Sequence, residues 1–172
     1  MNNKKTYLIT GGCRSGKSRY ALSLAENAEK PFYIATGWAD DKEMEERIRR
    51  HRAERGEHWN TIETRTDLTG AIRSAVSQGA DFIIVDCLTL WLTNIMFDDS
   101  LCLEDMKKEL VDFIPEITVL TVFVTNEVGA GIVPENKLAR QFRDEAGFLN
   151  QDVAAAVDSV VMTVSGLPLK LK

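Results

Sequence analysis

The chain has 172 residues, about the length of one domain, of which 44% are hydrophobic and 27% charged. That composition excludes intrinsic disorder, a collagen-like repeat and a disulfide-stapled scaffold, and no apolar run approaches the ~18 residues of a membrane helix. With 21 Lys and Arg against 26 Asp and Glu the net charge is −5, so no basic excess exists for nucleic-acid binding through bulk electrostatics.

In chain order, the apolar stretch after Lys4-Lys5 is too short for a secretory signal. Residues 7–10 read as a strand and 18–29 as a helix. Residues 32–36 form a second strand, followed by a charged helix over 41–55. A weaker strand spans 59–63, and Asp67 caps a helix reaching to 78. Residues 82–85 are an uninterrupted apolar run, as expected of a strand buried on both faces. Helices follow at 88–97 and 103–114, then a buried strand at 120–125. Residues 137–157 read as largely helical with an interruption near Gly147, and strands at 160–164 and 169–171 end the pattern. The alternation predicts an α/β fold with a mostly parallel sheet and helices on both faces. No linker or repeat divides it, so residues 1–172 are expected to form a single domain. Cys13, Cys87 and Cys102 form no C-x-x-C pair and read as reduced thiols, which with the missing signal and span gives a cytoplasmic expectation.

Gly11-Gly12-Cys13-Arg14-Ser15-Gly16-Lys17-Ser18 fits G-x-x-x-x-G-K-[ST] in full, between a strand and a helix. Glycines let the loop curl its N–H groups toward phosphate oxygens, Lys17 reaches the β and γ phosphates, and the Ser18 hydroxyl ligates Mg²⁺. The helix that follows adds its N-terminal dipole. A P-loop also needs a carboxylate at the end of a neighbouring strand to organise Mg²⁺, and Asp86 stands there after the apolar run. The alternative for Asp86 is an ordinary cap on the next helix. The guanine-reading N-K-x-D pattern fails, because Asn136-Lys137 is followed by Leu138-Ala139. A small-molecule kinase is favoured over a GTPase switch.

Met44, Ile48 and His51 fall on one stripe of the charged helix, with Arg47 and Arg55 one turn either side of His51 and Arg52 beside it. Two readings stay open. His51 is either a histidine hydrogen-bonded into the core, or a nucleophile at a polyphosphate site where guanidinium groups neutralise developing charge. His58, in a turn, reads as structural or surface.

Along nearly its whole length the chain resembles the adenosylcobinamide kinase/adenosylcobinamide-phosphate guanylyltransferase family of cobalamin biosynthesis. The matching residues begin with Thr10-Gly11-Gly12-x-Arg14-Ser15-Gly16-Lys17-Ser18-Arg19 and Tyr33-Ile34-Ala35-Thr36. They continue with Arg47-Ile48-x-x-His51-Arg52, Trp59-x-Thr61-x-Glu63 and Thr93-Asn94. The most specific block is Val124-Thr125-Asn126-Glu127-Val128-Gly129-x-Gly131-Ile132-Val133-Pro134-Glu135-Asn136, followed by Phe142-Arg143-Asp144, Asn150-Gln151 and Ser165-Gly166.

The resemblance implies two activities. One is transfer of a γ-phosphate from ATP or GTP to the hydroxyl of adenosylcobinamide. The other is transfer of GMP from GTP, through a guanylyl-histidine, to adenosylcobinamide phosphate, giving adenosyl-GDP-cobinamide. It implies His51 and Lys17 as catalytic residues, and nucleotide contacts at Gly11, Gly12, Cys13, Arg14, Ser15, Gly16, Lys17, Ser18, Thr36, Gly37, Trp38, Arg52, Ala53, Glu54, Arg55, Glu63 and Asp86. Ser18 and Asp86 are the expected metal contacts. The resemblance further implies a RecA-like, three-layer P-loop fold and a homotrimer. Cys13 stands where the family often has Ala, and Asp86 where some members have Glu. The 127–136 segment reads either as a substrate-facing loop or as a structural Ω-loop. The alternatives to this reading are a P-loop kinase of another small hydroxyl substrate and a non-catalytic nucleotide-binding module.

Overall fold

The structure is a computed structural model that describes residues 5–37, 46, 56 and 58–172. Its strands are β1 (Thr6–Thr10), β2 (Pro31–Ala35), β3 (Asn60–Glu63), β4 (Phe82–Asp86), β5 (Leu120–Val124), β6 (Ser159–Val164) and β7 (Leu167–Lys170). Its helices are α1 (Lys17–Ser23), α2 (Leu68–Ser77), α3 (Leu88–Met96), α4 (Leu103–Phe113) and α5 (Lys137–Ala156), with a 3₁₀ turn at Ile114–Glu116.

The strands form one sheet in the order β3-β2-β4-β5-β1-β6-β7. Neighbours from β3 through β6 pair in parallel, and β7 alone runs antiparallel, folded back on β6. Alternation within each strand sorts side chains onto two faces. Ile9, Tyr33, Ile84, Val122 and Val124 lie with Ala21 and Ala25 near α1. Leu8, Ile34, Ile83, Val85 and Phe123 lie with Ile72, Trp91, Leu92, Leu110, Leu149 and Val153 of α2 to α5. The sheet thus carries helices on both faces, as its continuous apolar strands require. The Asp67 carboxylate accepts the Gly70 N–H at 2.8 Å, so α2 begins where its cap residue stands.

Three expectations are corrected. The first helix stops at Ser23 rather than 29: residues 24–28 continue as tight turns, and the Asp81 carboxylate accepts the N–H groups of Glu29 and Lys30 at 2.6 and 3.0 Å, drawing the backbone toward β2. Gly147 does not interrupt α5, because buried Ala146 and Leu149 hold that turn against the core, enough to offset the ~1 kcal/mol an interior glycine costs. The final strand begins at Leu167 and reverses direction through Ser165 and Gly166, both at positive φ. The expected helix over 41–55 lies outside the described residues, apart from residue 46.

Candidate nucleotide site

The C-terminal ends of β1 and β4 carry the two halves of the P-loop signature, with β5 between them. Leaving β1, the chain takes φ of 145° at Gly11, 55° at Arg14 and 103° at Gly16, so the loop curls in conformations that favour glycine. A Cβ on Gly11 would lie 2.5 Å from the Thr163 carbonyl oxygen and 2.7 Å from Ser15 Oγ, so no side chain fits. The β6–β7 turn closes the loop from outside. Ser15 Oγ shares a 2.7 Å hydrogen bond with Thr163 Oγ1, and the Gly166 N–H donates to the Ser15 carbonyl at 2.9 Å. Cys13 and Arg14 are exposed on the rim.

Lys17 is buried, and its Nζ donates to the carbonyl oxygens of Gly11 and Gly12 at 3.0 and 2.7 Å. The Gly11 carbonyl also accepts the Glu127 N–H at 3.0 Å, tying the 127–136 loop to the P-loop. The base of that loop is held by a polar network. The Asn126 N–H donates to Thr89 Oγ1 at 2.8 Å, Thr125 Oγ1 donates to Asn150 Oδ1 at 2.8 Å, and Asn150 Nδ2 donates to the Asn126 carbonyl at 3.3 Å.

Ser18 Oγ donates to Asp86 Oδ2 at 3.4 Å, and the Tyr33 hydroxyl donates to the same oxygen at 2.6 Å. Mg²⁺ takes hard oxygen ligands at ~2.1 Å, which sets adjacent ligands ~3 Å apart. A hydroxyl and a carboxylate oxygen at 3.4 Å therefore fit that ion as two of its ligands. Among the described residues no group of three His, Cys, Asp or Glu side chains could hold a metal unaided.

Thr36 and Cys87 lock the ends of β2 and β4 together. The Thr36 hydroxyl accepts the Cys87 N–H and donates to the Cys87 carbonyl, both at 2.8 Å. The Thr36 carbonyl accepts Asn94 Nδ2 at 2.9 Å. Burial, and then the charge of Asp86, push the Cys87 thiol up to about 11. Gly37 follows, with space for a Cβ limited by Leu90 Cδ1 at 3.1 Å.

The structure brings Gly11 to Ser18 and Asp86 together, with Thr36 and Gly37 at the end of the next strand. Glu63 is exposed at the end of edge strand β3, four strand spacings or ~19 Å from β1. Trp38, His51, Arg52, Ala53, Glu54 and Arg55 lie outside the described residues. His58 is exposed, its ring 6.0 Å from that of Trp59. Sequence reasoning missed Tyr33, whose signal is a lone polar tip in the apolar run of β2. It also missed Thr163, whose contact with Ser15 crosses 148 positions.

Residues 7–171 match the family model described as cobinamide kinase / cobinamide phosphate guanyltransferase. The chain is 45% identical over 167 residues to the bifunctional adenosylcobalamin biosynthesis protein CobP of Pseudomonas aeruginosa, covering 96% of each chain. It is 40% identical over 179 residues to the bifunctional adenosylcobalamin biosynthesis protein CobU of Escherichia coli, covering 96% of this chain and 98% of that one. Among solved structures it is similar to the type III secretion ATPase EscN of enteropathogenic E. coli, assembled with its central stalk EscO. The TM-score is 0.55 at 12% identity, over 94% of this chain and 42% of that one. A prototypical type III secretion ATPase gives 0.54 at 12% identity, over 96% and 56%. The chain thus spans about half the length of these ATPases, and the likeness is one of P-loop fold.

Proposed function

The chain belongs to the cobinamide kinase / cobinamide phosphate guanyltransferase family, and on that premise we propose how its residues divide the two reactions. It is an enzyme of adenosylcobalamin biosynthesis that phosphorylates adenosylcobinamide and transfers a guanylyl group to the phosphorylated product. The observation that carries the assignment to this site is the convergence of Lys17, Ser18 and Asp86 beyond the ends of β1 and β4, on either side of β5.

In the kinase step the acceptor hydroxyl attacks the γ phosphorus of ATP or GTP, and the β–γ bridging oxygen leaves with the nucleoside diphosphate. Gly11 to Ser18 wrap the phosphates, and Lys17 exchanges its bonds to loop carbonyls for bonds to phosphate oxygens. Catalysis here is positioning and charge neutralisation, which is what phosphoryl transfer requires. Ser18 and Asp86 hold Mg²⁺, which when bound neutralises charge on the leaving phosphates.

In the transferase step the His51 imidazole attacks the α phosphorus of GTP and pyrophosphate leaves. The phosphate of adenosylcobinamide phosphate then displaces the histidine, giving adenosyl-GDP-cobinamide. Covalent carriage splits one transfer into two in-line displacements. Arg47, Arg52 and Arg55 flank His51 in sequence and supply the counter-charge. Thr36, Gly37, Trp38 and Glu63 are contacts along the nucleoside. The reading extends to a cytoplasmic homotrimer; the exposed apolar side chains of Val164, Leu167 and Leu169 around the edge strand support a contact between copies there.

The test uses GTP labelled at the α or γ phosphate, incubated with Mg²⁺ and no corrinoid before denaturation. Label from the α position alone, absent in His51→Ala, is the expected result. Label from neither position removes the histidine route.

A further inference from the structure

We propose that Tyr33 is a positioning residue for the divalent cation: its hydroxyl fixes the rotation of the Asp86 carboxylate and so holds the Oδ2 of that group beside Ser18 Oγ, where the pair meets the metal. The proposal rests on the reading of Ser18 and Asp86 as the metal contacts.

Register places the two side chains. Tyr33 pairs with Ile84 and Ala35 with Asp86, so Asp86 is the diagonal neighbour of Tyr33 on the α1 face of the sheet. A long aromatic side chain spans that diagonal. The bond is short, at 2.6 Å, and runs from a phenol O–H to a carboxylate oxygen.

The ring itself has little freedom. Tyr33 is only 7% exposed, and Trp59 packs edge-on against it with centroids 6.3 Å apart and planes at 82°. Trp59 is braced in turn on Phe82, at 6.2 Å and 89°.

The Asp86 carboxylate, by contrast, ends on a torsion with a broad energy profile. Its other side-chain partner is Ser18 at 3.4 Å, a weak bond, and the Ser18 oxygen is itself wanted by the metal. A buried phenol packed against Trp59 is therefore the group that sets which way the carboxylate faces. Removing such an outer contact from a metal ligand typically weakens metal binding 10- to 100-fold.

The experiment measures Mn²⁺ binding to the full chain with GDP, by electron paramagnetic resonance, with no corrinoid and no turnover. Tyr33→Phe keeps the ring and its packing and removes only the donor, and a thermal midpoint close to wild type certifies the fold. The expected result is a Mn²⁺ Kd raised about tenfold. In kinase assays the Mg²⁺ concentration for half-maximal rate rises by a similar factor, and rate lost at limiting Mg²⁺ returns as Mg²⁺ is raised. Equal Mn²⁺ affinity in Tyr33→Phe and wild type, alongside a large loss in Asp86→Ala, overturns the role of Tyr33 and leaves the metal site standing. Unchanged affinity in Asp86→Ala overturns both.

Discussion

Lys17 holds its ammonium against two carbonyl oxygens of its own loop, within reach of any phosphate the loop wraps. On the proposed division of the reactions, this one side chain serves both half-reactions. Lys17→Ala is expected to lower γ-phosphate transfer and formation of the α-labelled protein by about 10²–10³-fold each, the scale seen when one charge-stabilising donor is removed. Parallel assays with the two labels check this, and loss of only one activity would argue for separate phosphate sites. Cys87 makes a different prediction. Its ordinary value of 9.0 is raised to about 11, so at pH 8 its thiolate population is about a hundredth of an ordinary thiol's. Iodoacetamide at pH 8 should label exposed Cys13 and Cys102 and leave Cys87 unmodified in the native protein, with peptide mass mapping as the readout. The P-loop and Asp86 were legible in sequence because each is contiguous with its own strand. Tyr33 was not, since its partner lies 53 positions away and only strand pairing brings them together.

The strands β1, β2, β4 and β5 were legible as apolar runs because burial on both faces leaves no polar alternation to confuse them. The end of α1 was not legible, since it is set by Asp81, a carboxylate at the foot of another strand. Nor was the direction of β7, where the reversal depends on two residues adopting positive φ. The start of β1 depends on a remote carboxylate too. Asp158 accepts the N–H groups of Lys5 and Thr6 at 2.9 Å each, and these bonds hold its carboxyl below the ordinary value of 3.8. A depressed acid contributes stability above its unfolded value and loses it as pH falls through the folded one. Asp158→Asn should therefore lower the thermal midpoint at pH 7, and the gap to wild type should close below pH 3.8, which scanning calorimetry across pH 2–7 would follow.

At the scale of the whole molecule, α4 and α5 are joined by Lys107, whose ammonium meets Glu104 at 2.8 Å and Glu145 at 2.6 Å. Burial pulls that lysine down, but the bonds and charges of the two carboxylates outweigh it and leave the group raised and charged. The more consequential long-range joint is at the P-loop, where Gly166 stands at φ 84° against Gly16 and Arg19. Gly166→Val puts a β-branched residue in that conformation at a cost of about 1–2 kcal/mol, enough to weaken GTP binding about tenfold, whereas Lys170→Ala on the exposed strand should leave it unchanged. Fluorescent GTP titrations of the two variants check this. The same joint has a meaning in time. A ribosome adds about 5–20 residues per second, so the 148 positions between Ser15 and Thr163 take about 7–30 s to make. Throughout that interval the newly made loop has its full motif and lacks the residues that close around it. On the proposed reading, the loop is braced for a nucleotide only when the β6–β7 turn is made, and a chain stopped short of Thr163 would carry an intact motif without the bond that braces it.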